Sequence, residues 1–436
     1  MTNKLLVLSM DAMVGEDLEY LKNKPNFKKL FAHAASVEKV CTVYPSLTYP
    51  SHTAIITGCR PGKHGVYDNN EVKTHGNPDG DWFIYAGKIR TDDLFKAAKR
   101  VGLTTASVFW PVTGNHPAID YLIDECFDYW IKGLNPQEMF SHLGSSLAVT
   151  DVIRRNLYRY PIHDRDKSGI QKWNTSDHFL NGCACGIIRK FQPDLLMIHN
   201  SYPDTVRHRY GVFNDEMLKC LDYTDLWLGE LIDALEETGI YDQTNFVLVS
   251  DHGQMDFARR LRLNTKFVRD GMITLDKDGD IEDWKMFEKS AGMSAYIYLK
   301  DPDFFEKAYE YLKGLAAEGV WGFEKIRTVK EAEADYGLSG DFAFILETDG
   351  YTGFADSWHE PICNPIDYSN YRLGQATHGY EPEKGPQPVF VASGPDFQPD
   401  ARIGQARIID EGPTFAHILG TELKDAEGRI LGELLR

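Results

Sequence analysis

Four short apolar runs, at residues 5–9, 195–198, 246–249 and 389–392, each stop abruptly at polar residues. They end before Asp11, before His199 and Asn200, before Ser250 and Asp251, and before Ser393 and Gly394. Runs this short, apolar on both faces and separated by long helical patterns, describe buried parallel strands. The predicted class is α/β, a mostly parallel central sheet with helices on both faces. In such sheets ligands bind outside the carboxyl ends of the strands, so Asp11 and Asp251 stand where chemistry is expected. The intervening segments fit. Thr91-Asp92-Asp93 leads into Leu94, Phe95, Ala97 and Ala98 and then Gly102, a capped helix with an apolar stripe and a glycine stop. Residues 218–239 repeat the pattern. After Gly253 the character changes, and residues 263–368 mix strand signals, as at 294–299, with a helix over about 304–317. They are expected to form a mixed α/β cap inserted into a core made of residues 1–262 and 369–436.

Composition narrows the partners. A chain of 436 residues is too long for one compact layer, and 42% hydrophobic with 26% charged residues is ordinary for a folded protein. Sixty-five acidic residues against 47 basic ones give a net charge of −18, which repels nucleic-acid polymers and anionic membranes. A small phosphate ester remains compatible, because a bound divalent metal inverts the local field. The opening apolar run is too short for a signal peptide, and no stretch reaches the roughly 18 apolar residues of a membrane span. Seven cysteines lack the density of a disulfide framework, and Cys183-Ala184-Cys185 reads as packing on a helix. The expectation is a cytoplasmic protein, with a homo-oligomer compatible with it.

The chemistry-bearing residues lie in four separated places. Asp204 and His208 are four apart, so on a helix they share a face and can grip one metal ion. Asp251 and His252 would point to opposite sides of a regular strand, so joint ligation requires the chain to turn, for which Gly253 is suited. His378 can be delivered from the far side of the insertion. With Asp11 and one hydroxyl residue this makes seven potential donors of mixed nitrogen and oxygen type, which suit zinc best, with manganese or iron as alternatives. The hydroxyl is proposed from residues 44–53, where Thr48 precedes Pro50 at a helix start, beside exposed backbone N–H groups. Taken alone, Thr48 also reads as a plain helix N-cap.

This set resembles the alkaline phosphatase superfamily, and within it the type I phosphodiesterase and nucleotide pyrophosphatase family. The resemblance runs through Asp11, Thr48-Tyr49-Pro50-Ser51-His52, Thr57-Gly58, His64-Gly65-Val66, Asp68-Asn69-Asn70 and Phe109-Trp110-Pro111. It continues at Pro203-Asp204 with His208 and Tyr210-Gly211, at Ser250-Asp251-His252-Gly253, at Thr377-His378-Gly379-Tyr380 and at Pro413-Thr414, covering most of the core in order. It implies two zinc ions, one held by Asp204, His208 and His378, the other by Asp11, Asp251, His252 and the Thr48 oxygen. Thr48 would attack phosphorus in line with the departing oxygen and become phosphorylated, while the second metal stabilises the leaving group. Asn69 matches an amide that donates to a non-bridging phosphoryl oxygen. The resemblance also puts Tyr49, Trp110 and His199 in the substrate pocket, His199 replacing the family's second stacking tyrosine. Arg207, where the family usually has glycine, either reaches a second anionic group on the substrate or points to solvent.

The function expected is hydrolysis of phosphodiester or pyrophosphate bonds. A phosphomonoesterase or a phosphonate hydrolase of the same superfamily is the alternative, and a non-catalytic metal- or phosphate-binding protein the remote one. A sulfatase is disfavoured, because Thr48 cannot be oxidised to formylglycine.

Overall fold

The computed structural model describes residues 3–72, 79–125, 136–142, 144–160, 176–365 and 375–436. All four apolar runs are strands of one eight-stranded sheet: Lys4–Met10, Leu195–Asn200, Thr244–Val249 and Phe390–Ser393. Lys4–Met10 lies at its centre, parallel to Leu195–Asn200 on one side, with Met10 opposite Asn200, and to Thr244–Val249 on the other, with Ser9 opposite Val249. Three strands therefore end at the same edge, and Asp11, the turn at Ser201 and Ser250-Asp251 emerge together. The strand period of two divides the core cleanly. Leu6, Leu8 and Met10 join one apolar cluster with the helices Ser176–Phe191 and Asp215–Glu237. Leu5 and Val7 join the opposite one with Thr48–Thr57, Leu94–Arg100 and Glu411–Ile418. Helices thus cover both faces, and truncating fully buried Leu8 to alanine would cost about 2–5 kcal/mol.

One strand departs from expectation. Phe390–Ser393 runs antiparallel to both neighbours, Ala35–Cys41 and Thr244–Val249. An apolar run does not encode direction. The chain comes back beside the carboxyl end of Thr244–Val249, where Val389 N–H donates to Ser250 Oγ at 2.9 Å, so the strand must run downward. Ser393 and Gly394 consequently lie at the end of the sheet remote from Asp11.

Local signals translated well. Asp93 caps Leu94–Arg100, its Oδ1 accepting from Lys96 N–H at 2.9 Å, and Asn214 caps Asp215–Glu237 in the same way. Cys183 and Cys185 are buried on their helix. The inserted region has its own four-stranded antiparallel sheet, ordered Met286–Ala291, Ser294–Leu299, Phe344–Thr348, Phe323–Thr328, with the helix Phe305–Glu318. Its apolar cluster, including Phe267, Tyr296, Leu312 and Leu346, also takes in Tyr44, Leu47 and Tyr67 from the core. Cap pairing begins at Arg259–Leu261, which lies between Thr352–Phe354 and Cys363–Pro365, a few residues ahead of the predicted boundary at 263. The other boundary, at 368/369, lies outside the described residues. Among the described residues no helix is long and apolar enough to cross a membrane.

Candidate metal centre

The helix Thr48–Thr57 starts at Thr48 itself, and the residue before it, Leu47, offers no side-chain cap. The Thr48 hydroxyl is therefore not capping; its Oγ1 lies 3.2 Å from His252 Nε2. The same nitrogen lies 3.2 Å from Asp251 Oδ2 and 3.5 Å from Asp11 Oδ1. Asp251 and His252 do converge, because the chain turns at once after the strand. A side chain at Gly253 would meet the Pro386 carbonyl, 2.3 Å from its Cβ position. Gly379, at φ +93°, likewise leaves no room for a Cβ beside the Ala291 carbonyl, and it fixes the turn that carries His378.

Asp204 and His208 share a face of the helix Tyr202–Tyr210, with Asp204 Oδ1 3.3 Å from His208 Nε2 and 3.8 Å from His378 Nε2. The rings of His252 and His378 stack at 3.9 Å, which joins the two groups into one centre. The donor atoms of Asp11, Asp251 and His252 lie within 4.8 Å of one another, as do those of Asp204, His252 and His378. All seven residues anticipated as ligands are thus brought together, with His252 common to both triplets.

Hydrogen bonds fix the tautomers. His208 Nδ1 donates to Ala376 O at 2.9 Å, His378 Nδ1 to Ser46 O at 3.0 Å, and His252 Nδ1 to Gly253 O at 3.2 Å. A carbonyl can only accept, so each ring keeps its proton on Nδ1 and turns the Nε2 lone pair inward, the second-shell pattern of metal-ligating histidines. Asp11 Oδ1 and Asp251 Oδ2 are buried with no hydrogen-bond partner. Burial, and for Asp11 the nearby charge of Asp204, raise its carboxyl well above the usual range; burial and Asp11 do the same for Asp251. Burial brings His378 down to about 4 and His252 well below its ordinary value, so both are neutral lone-pair donors. Orphaned carboxylate oxygens facing inward lone pairs, with no compensating cationic side chain among the described residues, are a donor set that fits divalent metal ions.

The residues anticipated in the substrate pocket fare differently. Asn69 stands beside the nucleophile, its Oδ1 accepting from Tyr49 N–H at 3.0 Å, which leaves the amide NH2 as its donor end. Tyr49 is buried, with its ring 5.2 Å from that of Trp82 and its hydroxyl donating to Glu125, so its face is not open for stacking. Trp110 is buried against His52, to whose carbonyl its Nε1 donates at 3.4 Å. His199 is buried and donates through Nε2 to Asp11 Oδ2 at 3.2 Å; it steadies a carboxylate of the centre and is not a surface for substrate. Arg207 neither reaches the substrate nor points to solvent. It is fully buried, donating to both Asp17 oxygens at 2.8 Å and to the carbonyls of Ala12 and Val212. Helical periodicity signals this, since a residue adjacent to His208 is turned about 100° from the ligand face.

Three supporting residues escaped the sequence reading. His52, one turn after Thr48, donates through Nδ1 to Thr48 O at 2.8 Å and accepts from Ser9 Oγ at 2.8 Å. Gln254 donates to Asp204 Oδ1 at 2.5 Å. Glu125 is buried behind Tyr49, and burial raises its carboxyl to about 7 against the lowering effects of His199 and Tyr49. Only His52 left a trace in the sequence, its i+4 spacing from Thr48.

A family described as type I phosphodiesterase / nucleotide pyrophosphatase matches residues 5–381. The chain belongs to that family. A venom phosphodiesterase 2 of Crotalus adamanteus is 25% identical over 269 residues, covering 58% of this chain and 27% of that protein. A venom phosphodiesterase of Crotalus durissus collilineatus is 24% identical over 418 residues, covering 90% of this chain and 41% of that one. This member of the family thus spans less than half the length of these venom relatives. A human bis(5'-adenosyl)-triphosphatase is 23% identical over 430 residues, or 96% of this chain and 78% of that protein. Murine ectonucleotide pyrophosphatase / phosphodiesterase 5 shares the fold at TM-score 0.67 and 17% identity, with 99% of this chain and 100% of that one covered.

Proposed function

We propose that the chain hydrolyses phosphodiester or pyrophosphate bonds through Thr48, with two zinc ions resident. The observation that carries this reading is the position of Thr48 Oγ1, 3.2 Å from the histidine shared by two triplets of metal-type donors. Asp11, Asp251, His252 and Thr48 would hold one ion, and Asp204, His208 and His378 the other. When bound, such ions supply positive charge to the attacking and leaving oxygens of an in-line displacement. Thr48 forms the new bond to phosphorus as one leaving oxygen departs with its proton, giving a threonine phosphodiester that keeps the other ester group, and water then cleaves the Thr48 oxygen–phosphorus bond to release the phosphate monoester. His52 holds the Thr48 carbonyl, and with it the start of the helix. Asn69 offers its amide hydrogens to a non-bridging oxygen as charge builds there. The buried floor of Tyr49, Trp110 and His199 fixes the site without contacting the alcohol portion of the substrate. A cytoplasmic location remains our reading, supported by the use of Cys183, Cys185 and Cys220 as buried thiols in the helical layer.

The test is turnover of a generic aryl phosphate diester and of its matching monoester by zinc-loaded protein. A diester preference above about tenfold in kcat/KM, about 1.4 kcal/mol, is the expected result. A monoester preference moves the assignment to a phosphatase. Acid quenching during turnover of the diester, followed by mass spectrometry, should find on Thr48 a phosphoryl group that still carries one aryl ester; its appearance elsewhere refutes the nucleophile.

A further inference from the structure

One strand of the cap reaches two loops of the core that serve the centre. In Ser294–Leu299 the alternate residues Ser294, Tyr296 and Tyr298 share a face, as the strand period of two requires, and that face meets the core. Ser294 Oγ donates to Gly379 O, directly after His378. Tyr296 Oη donates to Tyr67 O, and Tyr298 Oη lies 3.2 Å from Tyr67 Oη. Tyr67 leads into Asp68, whose Oδ1 accepts from Asn69 N–H at 2.6 Å and from Asn70 N–H at 3.2 Å, so the two tyrosines grip the loop that carries Asn69. The hairpin turn before the strand presses on the other loop. Met293 N–H donates to His378 O at 2.8 Å, and at Gly292, φ +78°, a Cβ would stand 2.3 Å from that oxygen.

Glu347 closes the arrangement from the neighbouring cap strand, where it pairs with Ser294. Its carboxylate is buried and takes donors from both sides of the His378 loop. Oε2 accepts from Tyr44 Oη at 2.9 Å, two residues before Ser46, whose carbonyl holds His378. Oε1 accepts from Glu381 N–H at 3.1 Å, three residues after His378, and from Lys384 Nζ at 2.9 Å. A buried acceptor costs free energy when left unsatisfied, so the donors around it are held in place. We propose that the cap strand Ser294–Leu299, with Glu347, aligns the two loops and makes the cap a working part of the centre. Ser294 and Glu347 position His378 within the Asp204–His208–His378 group, and Tyr296 positions the Asn69 amide. All three are positioning residues, acting through the groups they hold. This rests on the reading of His378 as a metal ligand and of Asn69 as a donor to the phosphoryl oxygen.

The experiment reads the two arms separately in the full chain. Glu347→Gln, which turns one acceptor into a donor, should weaken one zinc ion about tenfold in competition with a chelator and leave the other unmoved. Ser294→Ala, a milder change on the same arm, should weaken the same ion and reads that arm if Glu347→Gln does not fold. Tyr296→Phe removes only a hydroxyl; it should keep both ions and lower kcat for the aryl diester about tenfold with KM within about twofold, because the Asn69 amide acts as charge builds in the transition state. Both ions held as in the parent, or kcat within about twofold of it in Tyr296→Phe, overturns the proposal. Equal weakening of both ions would mark a general loss of fold and overturns it as well. Wild-type protein that binds no zinc or turns over no phosphate ester refutes the function proposed above. The alignment is then decided by hydrogen exchange, which should quicken at the Gly379 amide, bonded to Ser46, in Glu347→Gln; unchanged exchange overturns it.

Discussion

The two halves of the centre are built on opposite electrostatic plans. Asp11, Asp251 and His252 are buried, two carboxylate oxygens lack partners, and burial, with the charge of Asp204 acting on Asp11 and that of Asp11 on Asp251, raises both carboxyls. Asp204, His208 and His378 include a partly exposed histidine, and Asp204 accepts a hydrogen bond from Gln254. The first group is rigidly placed by the strand ends and by His52 and His199, but meets no cationic side chain among the described residues. The second meets its carboxylate with a hydrogen-bond donor from the chain itself. On the two-metal reading, one half would depend on a cation for its charge balance, whereas the other would mainly tune how tightly a cation is held.

The largest effect that would break this comparison is at the nucleophile. Thr48→Ala should lower turnover at least about a thousandfold while the six other ligands retain both metals by elemental analysis. Activity within tenfold of the parent would remove Thr48 from the inner half. Next, Asp251→Asn should lose one metal equivalent together with activity, since the inner half has few donors to spare; unchanged stoichiometry would show that it is not a ligand.

A third change probes the floor under the inner half. The Glu125 carboxyl is raised to about 7 by burial, so its contribution to stability is fully present below the ordinary carboxylate pKa. That contribution is lost as pH rises through about 7. Replacing it by glutamine should flatten the fall in stability between about pH 4.5 and 7, by roughly 2–3 kcal/mol, in denaturant titrations across that range. A parallel pair of curves would mean that Glu125 is ionised throughout. The smallest effect belongs to the outer half: Gln254→Met removes the donor to Asp204 and should weaken one metal site about tenfold in competition with a chelator, leaving the other unmoved. Equal weakening of both sites would erase the distinction between the halves.

Much of the centre was legible because its ligands obey rules internal to single elements. Asp11 follows an apolar strand, Asp204 and His208 obey helical spacing, and Gly253 marks a turn. The residues misread were those whose meaning depends on what a second element brings to them. Arg207 sits beside a ligand in sequence, yet its partner Asp17 belongs to the loop-helix unit after the first strand. His199 ends a strand as anticipated, but Asp11 on the neighbouring strand takes its proton. Tyr49 follows the nucleophile, but Glu125 and Trp82 close around it.

Sequence by itself determined the α/β class, the strands that end at the centre and the identity of its seven donors, because alternation, helical periodicity and donor chemistry are local properties. Only the tertiary structure decided that Phe390–Ser393 runs backward, that His252 belongs to both donor triplets, and that Arg207 is buried against Asp17. Direction, sharing and pairing are relations between elements distant in the chain, and packing alone brings those elements together.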